Sequence, residues 1–406
     1  MGVRSNHRND TLFVLSGVAV RLARKMGLHR DGSSLGLSPF ETEMRRRLWW
    51  HIVHMDFRIS DLLGAKPSMD LFSSDAKMPL NVADEDLSPN MVDLPPESSG
   101  ITSIVICLIR CEIAEFLRKF SSPFSNDVHW EILINLDITF AKKDSMITQL
   151  EDLLERKYLR YCDPSNTLHY FASIMVRSAI CKIKLFTHNP RRFANRGVKV
   201  PQSERDIIFT NATKLLEYVN LVRGNQSLNK YMWQVGTSFL WNSLLYVLIE
   251  ARHRKVGPEV DRLWQLIGVV LSKYPQIFEK ATGAVYAALG KWTLEAWDDY
   301  IATAKVQGLP EPPTPEYINA IRCCRTPSIE SPSNQKDLTD FGPVTGKSVG
   351  YCNIQARRHD RNPLSDLEPF ASYDFSNLLS FEMDPDEWVQ WENLVVGEGL
   401  AQTDIM

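Results

Sequence analysis

Apolar side chains recur at intervals of three and four from residue 10 to residue 305, and no polar–apolar alternation persists anywhere. That spacing follows the 3.6-residue helical turn and not the two-residue repeat of a strand, so the sequence predicts an all-α fold. In the first segment Leu12, Leu15, Ala19, Leu22 and Met26 share one helical face. Gly27 is a natural C-terminal cap, and His29-Arg30-Asp31-Gly32 reads as the turn beyond it. Ser38-Pro39-Phe40-Glu41 then opens a second helix: Ser38 caps, Pro39 suits the first helical position, and Glu41 completes a capping box. Its apolar positions are Met44, Leu48, Ile52, Met55, Ile59 and Leu62. Glu41–Arg45 and Glu43–Arg47 are spaced to pair on its solvent side. Further helices are expected near 101–120, 128–160, 167–187, 204–223, 230–254, 259–272 and 276–305, separated in places by Pro- and Asp-rich stretches.

Composition sets the outer limits. With 44% apolar and 23% charged residues among 406, the chain can bury a sizeable core. A net charge of −3 excludes a uniformly basic nucleic-acid coat. Seven cysteines are too few and odd in number for a disulfide framework, which fits a reducing compartment. The N-terminus has no apolar signal core, and Asn6 stands where a myristoylation signal needs Ser or Thr. The uncharged run Tyr231 to Ile249 is long enough to span a bilayer, but its Gln234, Asn242 and Ser243 suit a buried bundle helix instead. No membrane partner is expected.

The charge is segregated. Residues 362–406 hold ten acids, six aromatics and no Lys or Arg, leaving 39 acids against 46 basic residues over 1–361. The chain therefore divides into a helical body over 1–305, a linker over 306–361 and an acidic, aromatic tail over 362–406. Pro310, Pro312, Pro313 and Pro315 break any helix, and the Ser/Pro/Asn/Asp-rich stretch after them buries too little to offset its ordering entropy. The linker is expected to be disordered.

Constellations for catalysis are missing. The sequence has no phosphate-binding glycine loop, no dinucleotide fingerprint and no nucleophile elbow. Asp298-Asp299 lack a third acid, and Asp84-Glu85-Asp86 lie in a Pro-rich loop, so both read as solvated carboxylates. His51 and His54, three apart on one helix, are spaced as zinc ligands can be, but their neighbours Trp50 and Met55 read as a packed helix with partly exposed imidazoles. Cys107 and Cys111, four apart on an apolar helix, have packing geometry, and Cys323-Cys324 lack further cysteines nearby. No catalytic residue, metal ligand or cofactor is assigned, and enzymatic activity is not expected.

One stretch is far more specific. It runs Gly27-Leu28-His29-Arg30-Asp31, then Glu43-Met44-Arg45-Arg46-Arg47-Leu48-Trp49-Trp50, then Asp56, Ser60, Gly64 and Pro67, with Met78-Pro79-Leu80-Asn81-Val82-Ala83-Asp84-Glu85-Asp86-Leu87 downstream. These segments resemble, in order and spacing, the regulatory middle region of fungal zinc-cluster transcription factors. The clear resemblance covers about residues 15–90. Physically, Leu48, Trp49 and Ile52 are expected to anchor the second helix in the core. Asp56 needs a partner, for which Arg30 or Arg45–Arg47 are the candidates. The Arg45–Arg47 run reads either as helix-face pairing or as a DNA-facing or nuclear-import patch.

The resemblance implies a nuclear transcription regulator, an activator of a metabolic or secondary-metabolite gene set. It implies the transcription machinery or co-activators as partners, together with homo- or hetero-dimers with zinc-cluster factors. The family's six-cysteine zinc cluster is absent from this sequence, and the middle region's upstream helices are missing too, so the chain reads as truncated. DNA is therefore a partner only where an upstream module or a second protein supplies the contact. The alternative reading is a helical interaction module that modulates full-length factors without binding DNA. In the tail, Phe375, Phe381, Trp388 and Trp391 stand among acids that keep them solvated and open to a partner's groove, the composition of an activation segment. The other reading docks Asp386 to Val396 back on the body.

Overall fold

The computed structural model describes residues 9–63, 74–120, 133, 138–188, 200–234, 238–254, 256–272 and 284–325. Gly64 and Pro67, and the tail with Phe375, Phe381, Trp388 and Trp391, lie outside the described residues. Among the described residues the regular structure is helical throughout. The α-helices are α1 (Asn9–Lys25), α2 (Pro39–Leu63), α3 (Val105–Phe120), α4 (Phe140–Lys157), α5 (Thr167–Thr187), α6 (Gln202–Gly224), α7 (Ser238–Arg254), α8 (Pro258–Ser272), α9 (Ala284–Val306) and α10 (Glu316–Arg325). Short 3-10 turns fill Gly32–Leu35, Asp84–Asp86, Leu159–Tyr161 and Gln226–Gln234. No described helix is long and apolar enough to cross a membrane.

The local signals for helix ends operate as chemistry requires. Gly27 closes α1 with φ +69°, a conformation that a Cβ would strain, and the Leu28 N–H reaches back to the Ala23 carbonyl. Ser38 Oγ accepts the Glu41 N–H at 3.2 Å at the start of α2. Thr139 and Asn166 cap α4 and α5 in the same way.

Packing divides the molecule into three adjoining cores. The first joins α1, α2 and one side of α3 around Val20, Ala23, Leu28, Trp49, Trp50, Val53 and Cys111. The second lies among α3, α4 and α5, with Ile109, Leu133, Leu150, Leu154 and Phe171 fully enclosed. The third is the largest. It gathers α6 to α10 and the end of α5 around Leu244, Val247, Ile267, Leu271 and Leu289. Each such side chain contributes about 1.5–3 kcal/mol when removed from water.

The segment expected as linker from residue 306 contains α10. Ile318 and Ile321 are buried in the third core, and Tyr317 packs at its edge with its hydroxyl donating to the Trp264 carbonyl. Gly308, with φ +67°, closes α9, and apolar spacing resumes beyond the proline run over 310–315.

Two buried polar junctions tie the helices. Glu250 of α7 is enclosed and takes a bidentate contact from Arg205 of α6, at 2.8 and 3.1 Å. His188, just past α5 and buried, contacts Asp144 of α4 through Nε2 at 2.9 Å and Glu204 of α6 through Nδ1 at 2.6 Å. Burial opposes its charging, but the two carboxylates outweigh burial and raise its pKa above the usual 6.5.

Candidate functional site

The turn after α1 is held from inside. Asp31 is almost fully buried and is the N-cap of the turn Gly32–Leu35, accepting from Ser33 N at 3.1 Å and Ser33 Oγ at 2.6 Å. Arg46 of α2 grips it bidentately, Nε to Oδ2 and Nη2 to Oδ1, both at 2.8 Å. The Lys77 N–H donates to Oδ2 at 2.9 Å. One carboxylate therefore joins three stretches of chain. Burial pushes its pKa up, but the hydrogen bonds from Arg46, Ser33 and Lys77 prevail and hold it well below the ordinary carboxylate range. Arg30 and the Asp31 N–H both bond Asp75, fastening the turn to the returning chain. Gly32 is required here: a Cβ would lie 2.6 Å from Thr42 Oγ1 and 2.8 Å from Thr42 Cα.

The other arginines also face inward. Arg45 Nη2 donates to the Met26 carbonyl at 2.8 Å, satisfying the exposed end of α1. Arg47 bonds Glu43 Oε1 at 3.0 Å, Asp84 Oδ1 at 2.6 Å and the Val82 carbonyl at 3.2 Å. Of the two readings of Arg45–Arg47, the structure supports internal pairing. It corrects one detail. Glu43 does not pair on the solvent side: it is fully buried and also accepts the Leu80 N–H. Its pKa is raised by burial against the pull of Arg47. Asp56 is likewise buried. The downstream motif supplies the strap over this arrangement. Asn81 donates to the Ser98 and Gly100 carbonyls and accepts from Thr102, Val82 is buried, and Lys77 accepts from the Trp50 indole.

The apolar stripe of α2 is not the buried one. Trp49 is fully enclosed as expected, but Leu48 is 46% and Met44 44% exposed, and Ile52 is only half-buried. The face turned inward carries Thr42, Glu43, Arg46, Trp49, Trp50, Val53 and Asp56. The same displacement occurs in α1, where Leu15, Leu22 and Met26 are exposed while Leu12, Ser16, Val20 and Ala23 are buried. Polar groups that satisfy one another inside replaced the apolar stripe the spacing pointed to.

The displaced stripe has a place. Met44 and Leu48, with Leu28 and Met26, line a mostly apolar cleft of about 700 Å³ between α2 and the start of α3. Arg45, Arg47 and Arg110 line it as well, with Glu41 and Asp84. Arg110 is fixed by Gln234, Nη2 to Oε1 at 2.7 Å.

His51 and His54 both line this cleft, but they are not alike. His51 is exposed; His54 is buried, contrary to the expectation of two partly exposed rings. His54 Nε2 lies 3.6 Å from Cys111 Sγ, which is 4.0 Å from Cys107 Sγ. Burial, with Arg110 next, lowers the His54 pKa well below 6.5 and keeps the ring neutral. The Cys107 thiol is lowered by the hydrogen bond from Cys111 and by Arg110, while burial pushes Cys111 up. Sequence spacing relates Cys107 to Cys111 but has no means of bringing a residue 57 positions away beside them. The six-cysteine donor set of a binuclear zinc cluster does not fit the described residues, because Cys162, Cys181 and Cys323 lie on separate elements.

Comparison with known proteins matches residues 2–156 to the family described as the fungal specific transcription factor domain. The chain is similar to the aurofusarin cluster transcription factor aurR2 of Gibberella zeae, 28% identical over 402 residues, which cover 96% of this chain and 59% of that protein. It is similar to the transcriptional regulator AacuB of Aspergillus aculeatus, 26% identical over 330 residues, covering 79% of this chain and 44% of that one. A shorter likeness, 40% over 96 residues, joins 23% of this chain to 13% of the Zn(2)-C6 fungal-type transcription factor mpsB of Macrophomina phaseolina. The chain thus spans 59% or less of the length of these relatives. No solved structure matches.

Proposed function

We propose that this chain, which carries a fungal specific transcription factor domain over residues 2–156, is a nuclear regulator that activates a biosynthetic gene cluster. The observation that carries the reading is the likeness to a cluster transcription factor along 96% of the chain. The geometry agrees with a regulatory body and not with a nucleic-acid surface. Arg45, Arg46 and Arg47, the densest basic run in the motif region, spend their donors on Met26, Asp31, Glu43 and Asp84, leaving little for phosphates. DNA contact then comes from a further module or from a partner. Activation is assigned to residues 362–406, whose aromatics among acids suit a hydrophobic groove in the transcription machinery or a co-activator. Catalysis has no part in this reading.

Tethering tests it. Residues 362–406 fused to a heterologous DNA-binding domain are expected to switch on a reporter, and the triple change Phe381→Ala, Trp388→Ala, Trp391→Ala to silence it. Absence of reporter activity from the unchanged fusion, at equal protein level, overturns the activator assignment. A fluorescent fusion of the full chain in a fungal host is expected to concentrate in the nucleus.

A further inference from the structure

We infer that His54, Cys107 and Cys111 form a mononuclear site for a thiophilic divalent cation, zinc foremost, that staples α2 to α3 at the edge of the cleft. Among the described residues these three donor atoms all lie within 4.8 Å of one another. Their spacing is that of a ligand set. With Zn–S near 2.3 Å and Zn–N near 2.0–2.1 Å, the edges of a tetrahedron are about 3.8 Å between two sulfurs and about 3.5 Å between sulfur and nitrogen. The structure has 4.0 Å between the two Sγ atoms and 3.6 Å from Cys111 Sγ to His54 Nε2. The third edge, Cys107 to His54, falls within the same 4.8 Å.

Packing alone accounts poorly for this convergence. Cys111 is fully buried and His54 nearly so, with Val53 and Trp50 buried beside His54 on α2. An imidazole and two thiols turned toward one another there leave weak hydrogen bonds where a hydrocarbon would cost nothing. A soft cation converts the same atoms into strong ligands. Two thiolates balance the two positive charges of the ion, and the Arg110 guanidinium retains Gln234. Cys107 and His54 line the cleft and Cys111 does not, so the fourth coordination position opens into it. A water or a donor atom of a cleft ligand completes the shell there.

The full chain, stripped of metal by a chelator and kept reduced without thiols, is titrated with cobalt(II) as a spectroscopic stand-in. One equivalent is expected to produce thiolate-to-cobalt charge transfer and the intense d–d bands of a tetrahedral site, both bleached by one equivalent of zinc. His54→Ala and Cys107→Ser are each expected to weaken binding at least about tenfold, with helical circular dichroism unchanged, while Cys323→Ser binds as the unchanged chain does. Cys107 is only half-buried, so its serine variant answers the question even where a change at Cys111 unfolds the core. A helical chain without charge-transfer bands, bands that survive both Cys107→Ser and His54→Ala, or bands lost in Cys323→Ser would each overturn the assignment.

Discussion

Asp31 fastens three stretches of chain with a single carboxylate, and its partner Arg46 is as buried as it is. Removing one member leaves the other charged and unsolvated, which costs about 3–5 kcal/mol. Asp31→Ala and Arg46→Ala are each expected to lower urea-unfolding stability by that amount, and the double variant to lose less than the sum, because the second change removes a charge already stranded. Trp49 and Leu48 make a sharper contrast. They are adjacent and both apolar, but Trp49→Ala is expected to cost about 3–5 kcal/mol and Leu48→Ala within about 0.5 kcal/mol. Equal losses would contradict the placement of Leu48 on the cleft wall. This is also where sequence reading had least to offer. Spacing in threes and fours is satisfied by two neighbouring stripes of α2, and hydropathy chose the one with Met44 and Leu48. The stripe that is buried holds Glu43, Arg46 and Asp56, whose partners come from residues that helical periodicity does not relate to α2.

Among elements, α4, α5 and α6 meet at His188, which bridges Asp144 and Glu204. Its folded pKa lies above the unfolded 6.5, so the charged ring stabilises the folded chain in full below that value. The contribution fades as pH rises through the raised folded pKa. Thermal unfolding followed by circular dichroism is therefore expected to give a falling midpoint from pH 6 upward, and His188→Gln to flatten that part of the curve. The reverse slope would rule out a charged bridge. Helices as elements were legible from the chain alone: α1, α2, α5, α6, α8 and α9 lie where apolar recurrence, caps and prolines place them. The exception is α10, hidden because its short apolar set, Tyr317, Ile318 and Ile321, follows a proline run that marks the end of regular structure. The start of α4 at Phe140 also falls well inside the expected 128–160 segment.

Across the whole molecule, the three cores are joined by shared helices: α3 belongs to the first and second, and α5 to the second and third. Motif segments far apart in sequence, at Gly27–Asp31, Glu43–Trp50 and Met78–Leu87, converge in the first of them, which is why their order and spacing were readable while their contacts were not. The cleft and the His54–Cys107–Cys111 set were illegible for the same reason, since α2 ends at Leu63 and α3 begins only at Val105, too far along the chain for helical periodicity to relate them. Gly32 lies where that convergence is tightest, with Thr42 so close that no side chain fits. A methyl group there does not remove any functional atom; it wedges the turn off the start of α2 at a cost of about 1–3 kcal/mol. In a protein of ordinary marginal stability that margin separates folded from unfolded over a few degrees. Gly32→Ala is therefore expected to be temperature-sensitive, folded and abundant in cool cultures and depleted in warm ones, as immunoblotting of the full chain across a temperature series would report. One carbon atom would thus set the range of temperature over which the protein persists.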